Sequence, residues 1–470
     1  MIRLMQLVWA ALCGVALAGA ALPAYAQLAS PQIEALRGAM PSAERHSRVQ
    51  RFWQIVERTG TPLIEPVPGA PDRMTVTFVW RSVGGTGAPG VFGVFNTKPW
   101  DRGDPMEHVP GTDIWFRSYE MPASMRAPYL LIGPRAAWPS LRWQRKWEGE
   151  YTHDLLLDPR NKNRIADVYF RPLSYDNYFE GPAAPPEIWR SAGAGGLRGR
   201  VHELEVDSAI LRNRRKVLVY QPPSSAGAPA PGLLLLFDGL SYRTPGMVPE
   251  ILDWLIATGK IPPTVAVMVD FITHEHRAIE LNADQRFERF VIKELVPMVR
   301  SRFGVSADPS RAIVAGASRG GLAAGAIALR HSDVFGNVIA QSAAFWSAPD
   351  RKDLRTDWLA RRYVASRRLP VRFYVQPGTM EDHDDMLAPN RRFRDLLRSR
   401  GYQLCYSEFL GGHTFLHWRA NLPQAIVAMT RPWNQADFCD AGANAVQDLA
   451  GGGRPPAARP SRKNNILEIM

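Results

Sequence analysis

The sequence predicts an α/β protein: a mostly parallel sheet with helices on both faces, preceded by a smaller, immunoglobulin-like β-sandwich. Three observations predict it. Residues 200–436 alternate strand, helix and strand, the grammar of a parallel sheet. One strand among them, Leu233–Phe237, is apolar at every position, as a strand buried on both faces must be. Ahead of them, residues 71–160 hold short β-like runs between Gly and Pro turns, the pattern of a sandwich.

Taken in order, residues 1–26 read as a secretory signal. Arg3 is the only charge, an apolar run spans Leu7–Leu22, and the small-x-small triplet Ala24-Tyr25-Ala26 precedes Gln27. The competing reading is an uncleaved anchor, but the run is short for a bilayer span. No later stretch is long and apolar enough to insert. Export would place the mature chain in an oxidising compartment. Cys13 leaves with the signal, and Cys405 and Cys439 either pair or remain thiols; sequence carries no geometry to choose.

Residues 27–70 form a lead segment with one helix near Ala43–Arg58. Met74–Arg81, Val91–Phe95, Thr112–Tyr119 and Tyr129–Gly133 are the expected sandwich strands. Residues 161–199, rich in Pro, Gly and Asn, read as a linker. The parallel sheet then takes Val217–Tyr220, Leu233–Phe237, Val265–Val269, Ala312–Ala315, Val338–Gln341, Phe373–Val375 and Tyr406–Phe409. Residues 437–470 read as a disordered tail.

The 470 residues are 46% hydrophobic and 22% charged, so large cores can be buried. The net charge is +12, and losing Arg3 takes it to +11. That favours acidic partners. With no basic helix and no zinc-finger spacing, nucleic acid is excluded as a partner.

Gly316-Ala317-Ser318-Arg319-Gly320 lies between strand Ala312–Ala315 and an Ala-rich helix, Leu322–Arg330. A G-x-S-x-G turn in that setting is a nucleophile elbow, the mark of an α/β-hydrolase domain. Both glycines are expected where the turn is too tight for side chains. A serine hydroxyl needs a base to take its proton. His413, in Gly411-Gly412-His413 just after the last strand, is where that base must sit; His417, four residues on, reads as structural. The orienting acid belongs after strand Phe373–Val375, where Glu381, Asp382, Asp384 and Asp385 all qualify. A metal site from Asp382, His383 and Asp384 finds no supporting histidine pair. The oxyanion donors are expected from the N–H of Arg319 and from Gly239 or Leu240, after strand Leu233–Phe237.

Several segments together resemble the enterochelin (enterobactin) esterase family: GASRGG around Ser318, IAQSAAFW, RAIEL from Arg277 to Leu281, and GGHTFLHWR around His413. VTFVWR, GTDIWF and MPASMRAPYLL are similar to that family's N-terminal domain. The likeness covers roughly residues 70–435. It implies an ester hydrolase acting on the trilactone of a catecholate siderophore, without a cofactor of its own, any iron arriving with the substrate. It implies Glu381, in PGTMED, as the acid. Leu240-Ser241-Tyr242 and Phe345-Trp346-Ser347 depart from the family pattern beside the pocket, which leaves two other readings open. One is an esterase for acylated sugars or feruloyl groups; the other is a non-catalytic binding protein.

A ferric tris-catecholate is a trianion, so its pocket needs cations and aromatic faces. Arg319, Arg277 and Arg419 are the candidate cations. Phe345, Trp346 and Trp418 are the candidate stacking faces, with Trp115 and Arg126 as a far wall. The expected partner is therefore a small, anionic ester. Ion pairs of Arg277 with Glu275 or Glu280 are the competing reading.

Overall fold

The computed structural model describes residues 30–38, 41–82, 87–96, 103–134, 155–168, 174–192, 196–224, 227–349 and 357–440. The proposed signal and most of the expected tail lie outside them. Two compact units emerge. One holds residues up to Met125 with Tyr129–Lys162 and Gly181–Ala183; the other holds Arg126–Pro128, Asn163–Glu180 and everything from Ala184.

The strands of the first unit are β1 (Leu63–Val67), β2 (Ala70–Arg81), β3 (Gly90–Gly93), β4 (Asp104–Pro105), β5 (Glu107–His108), β6 (Ile114–Pro122), β7 (Arg126–Ile132, whose first three residues group with the other unit) and β8 (Leu155–Leu156). One antiparallel sheet runs β1-β2-β6-β5; a second contains β4-β3-β7, with β8 on β7. Phe78 of the first sheet meets Tyr129 of the second at a ring distance of 4.7 Å, so the sheets share aromatic packing. The helix Ser42–Thr59 buries Phe52, Trp53 and Val56 with Val79, Ile114 and Phe116, and Trp53 donates its indole N–H to Asp113 at 2.8 Å.

The second unit starts with the antiparallel pair β9 (Arg164–Asp167) and β10 (Ser174–Glu180). These fall where the sequence suggested a linker, and β1 falls in the expected lead segment. Pro, Gly and Asn were the misleading signal: they stand between these strands as well as in loops. The main sheet then takes β11 (Arg200–Ser208), β12 (Asn213–Gln221), β13 (Gly232–Phe237), β14 (Thr264–Val269), β15 (Ala312–Ala317), β16 (Asn337–Gln341), β17 (Arg372–Gln376) and β18 (Gln403–Tyr406). Its order is β11-β12-β14-β13-β15-β16-β17-β18, parallel from β14 through β18. The last strand sits three residues earlier than expected; Phe409 makes only an isolated bridge to Gly378.

The run Leu233–Phe237 explains the two-sided core. Leu233, Leu235 and Phe237 pack on one face with Phe287, Leu322 and Phe393; Leu234 and Leu236 pack on the other with Ile251, Leu422 and Ile426. No helix among the described residues is long and apolar enough to cross a membrane.

After the last helix, Phe415–Thr430, the chain returns to β18. Cys439 is disulfide-bonded to Cys405, closing a separation of 34 residues. Nearby, the buried Arg372 has its guanidinium between the rings of Trp433 and Phe438 and donates to the carbonyls of Met429 and Arg431, both at 3.0 Å. Burial pulls its pKa down to about 10.

Candidate active site

Ser318 sits at the turn from β15 to the helix Arg319–Arg330, with φ +57° and ψ −124°. A non-glycine residue rarely holds such a backbone conformation, and it clusters at functional turns. Backbone hydrogen bonds hold the turn. Ser318 N–H donates to Gln341 at 3.0 Å, and its carbonyl accepts from Gly321 at 3.0 Å and Ala344 at 2.9 Å. Gly316 is required, because a Cβ there would lie 2.4 Å from the backbone of Gly320. Gly320 itself has ordinary room, its nearest neighbour being 3.6 Å away. The second tight glycine is instead Gly321, whose Cβ would press on Ala343 at 2.7 Å.

Parallel topology brings the other candidates to the same edge of the sheet. Ser318 follows β15, Glu381 follows β17 and His413 follows β18. Nδ1 of His413 lies 3.3 Å from Oε1 of Glu381, whose side chain is fully buried. Among the described residues neither Glu381 oxygen nor His413 Nδ1 makes a hydrogen bond, so the contact between them is one of ion-pair distance. The other acids of the loop face elsewhere. Asp382 caps the turn His383–Leu387, accepting from Asp384 and Asp385 N–H at 2.9 and 2.8 Å, and Asp384 is exposed against His383.

The imidazole is braced from its other side. Trp418 meets His413 edge-on at 4.8 Å, is itself buried, and donates its indole N–H to Ser342 at 2.9 Å. Its burial and its packing against His413 leave little of its face for the ligand stacking expected of it. His417 lies beneath the same loop, with Nδ1 3.0 Å from the Gly412 carbonyl. Its ring approaches Gly411 so closely that a Cβ there would meet it at 2.4 Å, which explains the Gly-Gly before His413. Burial pushes the pKa of His417 down to about 4, so it stays neutral.

The N–H of Arg319 is at the open first turn of its helix, beside Ser318. Across from it, Asp238 holds a left-handed conformation (φ 59°, ψ 55°) and starts the short helix Gly239–Arg243. Gly239 must be glycine: a Cβ would lie 2.6 Å from the Met268 carbonyl. The Leu240 N–H is engaged by the Asp270 carboxylate at 3.3 Å, so this candidate oxyanion donor already has an acceptor. Burial raises the pKa of Asp270.

Two candidate cations turn out differently. Arg277 is buried against Asp238, with Nη2 to Oδ2 at 2.7 Å, and not against Glu275 or Glu280; Glu280 takes Arg215. Arg419 is buried on Glu187, through bonds of 2.9 and 2.8 Å. A guanidinium at such depth needs a carboxylate, which takes it away from a ligand. Arg126 is also buried on Glu187, and Trp115 stands on β6 beside His108. Phe345 is core, 4.2 Å from the Phe393 ring. Trp346 does reach solvent, with the Arg319 guanidinium 5.8 Å from its centroid.

An elbow serine after β15, a buried carboxylate after β17 and a histidine after β18 have the arrangement of a carboxylic ester hydrolase of the α/β-hydrolase kind. The esterase family model matches residues 208–429, and the model for the N-terminal domain of enterochelin esterase matches residues 75–190. The chain belongs to the enterochelin esterase family. The iron(III) enterobactin esterase of Dickeya dadantii is 29% identical over 409 residues, 79% of this chain and 91% of that protein. The iron(III) salmochelin esterase of Escherichia coli O6:H1 is 26% identical over 80% and 92% of the two chains. Among solved structures, the enterobactin esterase of Shigella flexneri with 2,3-dihydroxy-N-benzoyl-serine has the same fold. Its TM-score is 0.66 at 24% identity, over 81% of this chain and 98% of that one.

Proposed function

We propose that the chain is an exported serine esterase that opens the ester bonds of a catecholate siderophore trilactone through an acyl-enzyme on Ser318. The observation that supports the mechanism is the contact of the buried Glu381 with His413. A carboxylate 3.3 Å from Nδ1 favours the tautomer that carries its proton there, which leaves Nε2 to accept the Ser318 proton. Serine Oγ then attacks the lactone carbonyl, and the Arg319 N–H and the Gly239 loop receive the oxyanion. His413 returns the proton to the departing alkoxide, and water repeats the sequence to release the acid. No cofactor enters any step. The substrate class rests on the relatives, which match over four-fifths of the chain. Export is supported by the Cys405–Cys439 bond, which belongs to an oxidising compartment.

The test is Ser318→Ala, with turnover of enterobactin followed by chromatography and labelling by a fluorophosphonate probe. The variant should fold normally, lose the label and lose about 10⁴-fold or more in kcat. Retention of most activity, or wild-type protein that the probe leaves unlabelled, defeats the mechanism. Wild-type protein that cleaves aryl or sugar esters but no trilactone defeats the substrate class alone.

A further inference from the structure

The edge that carries Ser318 is apolar and its charges cancel. Four of the eight exposed large hydrophobic side chains among the described residues are Leu240, Ile272, Ile279 and Trp346. Leu240 follows β13, Ile272 follows β14, Ile279 lies on the helix His274–Glu280 after β14, and Trp346 follows β16. With β15 and Ser318 between them, these are four consecutive strands of the sheet, all parallel and all ending on the same side. Asn282 ties the edge together, accepting from Arg319 at 3.3 Å and from Ser347 at 2.7 Å.

The ionic groups there offset one another. Arg277 is matched by Asp238 and Arg243 by Glu250, while Arg419, Arg126 and Arg190 share the carboxylates of Glu187 and Glu180. Arg319 donates to the Asn282 amide oxygen, and the same edge carries the carboxylates of Asp270, the acceptor of the Leu240 N–H, and of the exposed Glu275. An iron(III) tris-catecholate carries three negative charges, and moving it from water onto such an edge leaves them unmatched. Metal-free catechols keep their protons near neutral pH and present uncharged, flat rings that suit an apolar rim with one exposed indole.

We propose that this edge selects the uncharged, metal-free trilactone over its trianionic iron complex, with Leu240, Ile272, Ile279 and Trp346 as the specificity-determining contacts. The inference rests on the trilactone reading above and adds the charge state of the substrate.

The experiment compares kcat/KM for metal-free enterobactin, its iron(III) complex and its redox-inert gallium(III) complex, at about 0.05 M and about 0.5 M salt. The expected result is a preference of about tenfold or more for the metal-free form, since one unmatched charge at contact range already outweighs a factor of ten. Both metal complexes should be equally poor, and the metal-free rate should be nearly indifferent to salt. Iron and gallium complexes turned over as well as the free trilactone, with a KM that rises with salt, overturn the inference and leave the esterase reading standing. Failure on all three overturns both. Ile279→Lys, a change at an exposed position, should narrow the preference by about tenfold, through KM for the metal complexes. An unmoved preference in that variant overturns the assignment of selectivity to this edge.

Discussion

Arg277→Ala separates a structural arginine from a ligand-binding one. Arg277 and Asp238 are 7% and 3% exposed and joined by two hydrogen bonds. Removing the guanidinium leaves a buried carboxylate without its cation, which typically costs about 3–5 kcal/mol. For a unit of this size, about 2–4 °C of Tm goes with each kcal/mol, so Tm should fall by about 6–20 °C. Because Asp238 is the left-handed residue from which Gly239 and Leu240 hang, activity should fall alike on neutral p-nitrophenyl butyrate and on an anionic catecholate ester. Arg277→Lys keeps the charge but not the two-pronged geometry, and should recover only part of the loss. Asp238→Asn combined with Arg277→Leu removes both charges and should regain stability over Arg277→Ala. Thermal unfolding and steady-state kinetics decide it. An unchanged Tm with loss confined to the anionic ester would refute the pairing argument and restore Arg277 as a substrate contact.

Glu381→Gln should cost about 10³–10⁴-fold in kcat, while Asp384→Asn, exposed on the same loop, should stay within about twofold; kinetics of the two variants side by side check this. His417 titrates at about 4 when folded and near 6.5 when unfolded. The unfolded chain therefore takes up a proton first, and stability that is full above the unfolded value falls as pH drops from 6.5 toward 4, by at most about 3 kcal/mol. Urea unfolding of wild type and His417→Gln across that window should show a shallower slope in the variant. Cys439→Ser should lose about 3–4 kcal/mol, the loop-closure value for a 34-residue separation, and reductant should lower the Tm of wild type but not of the variant.

The parts legible in the sequence were those encoded locally. The elbow around Ser318 is a strand, a tight turn and a helix in succession. His413 was visible because a Gly-Gly-His directly after a strand has few other uses. The acid was legible only to a loop, because Glu381, Asp382, Asp384 and Asp385 are equivalent until the backbone decides which side chain turns inward. The resemblance selected Glu381, which is the one that faces His413. Long-range pairing was not legible. Asp238 is 39 residues from Arg277, and Glu187 is 232 from Arg419, so nothing near either arginine announced its partner. Trp418 read as a stacking face because helical spacing cannot say that His413 lies on its edge. The two glycines of the elbow were half right: the motif marks Gly316 and Gly320, whereas the close approach is made by Gly316 and Gly321.

The stretch after the last helix sets a boundary for anyone handling this chain. The esterase match ends at residue 429, yet the buried Arg372 draws on the carbonyl of Arg431 and on the rings of Trp433 and Phe438, and no carboxylate among the described residues neutralises it there. A gene trimmed where the similarity stops would leave that guanidinium stranded inside the protein with most of its described partners deleted, and would release β18 from its covalent tie at Cys439. Expression vectors should therefore run through Asp440, and affinity handles belong beyond it.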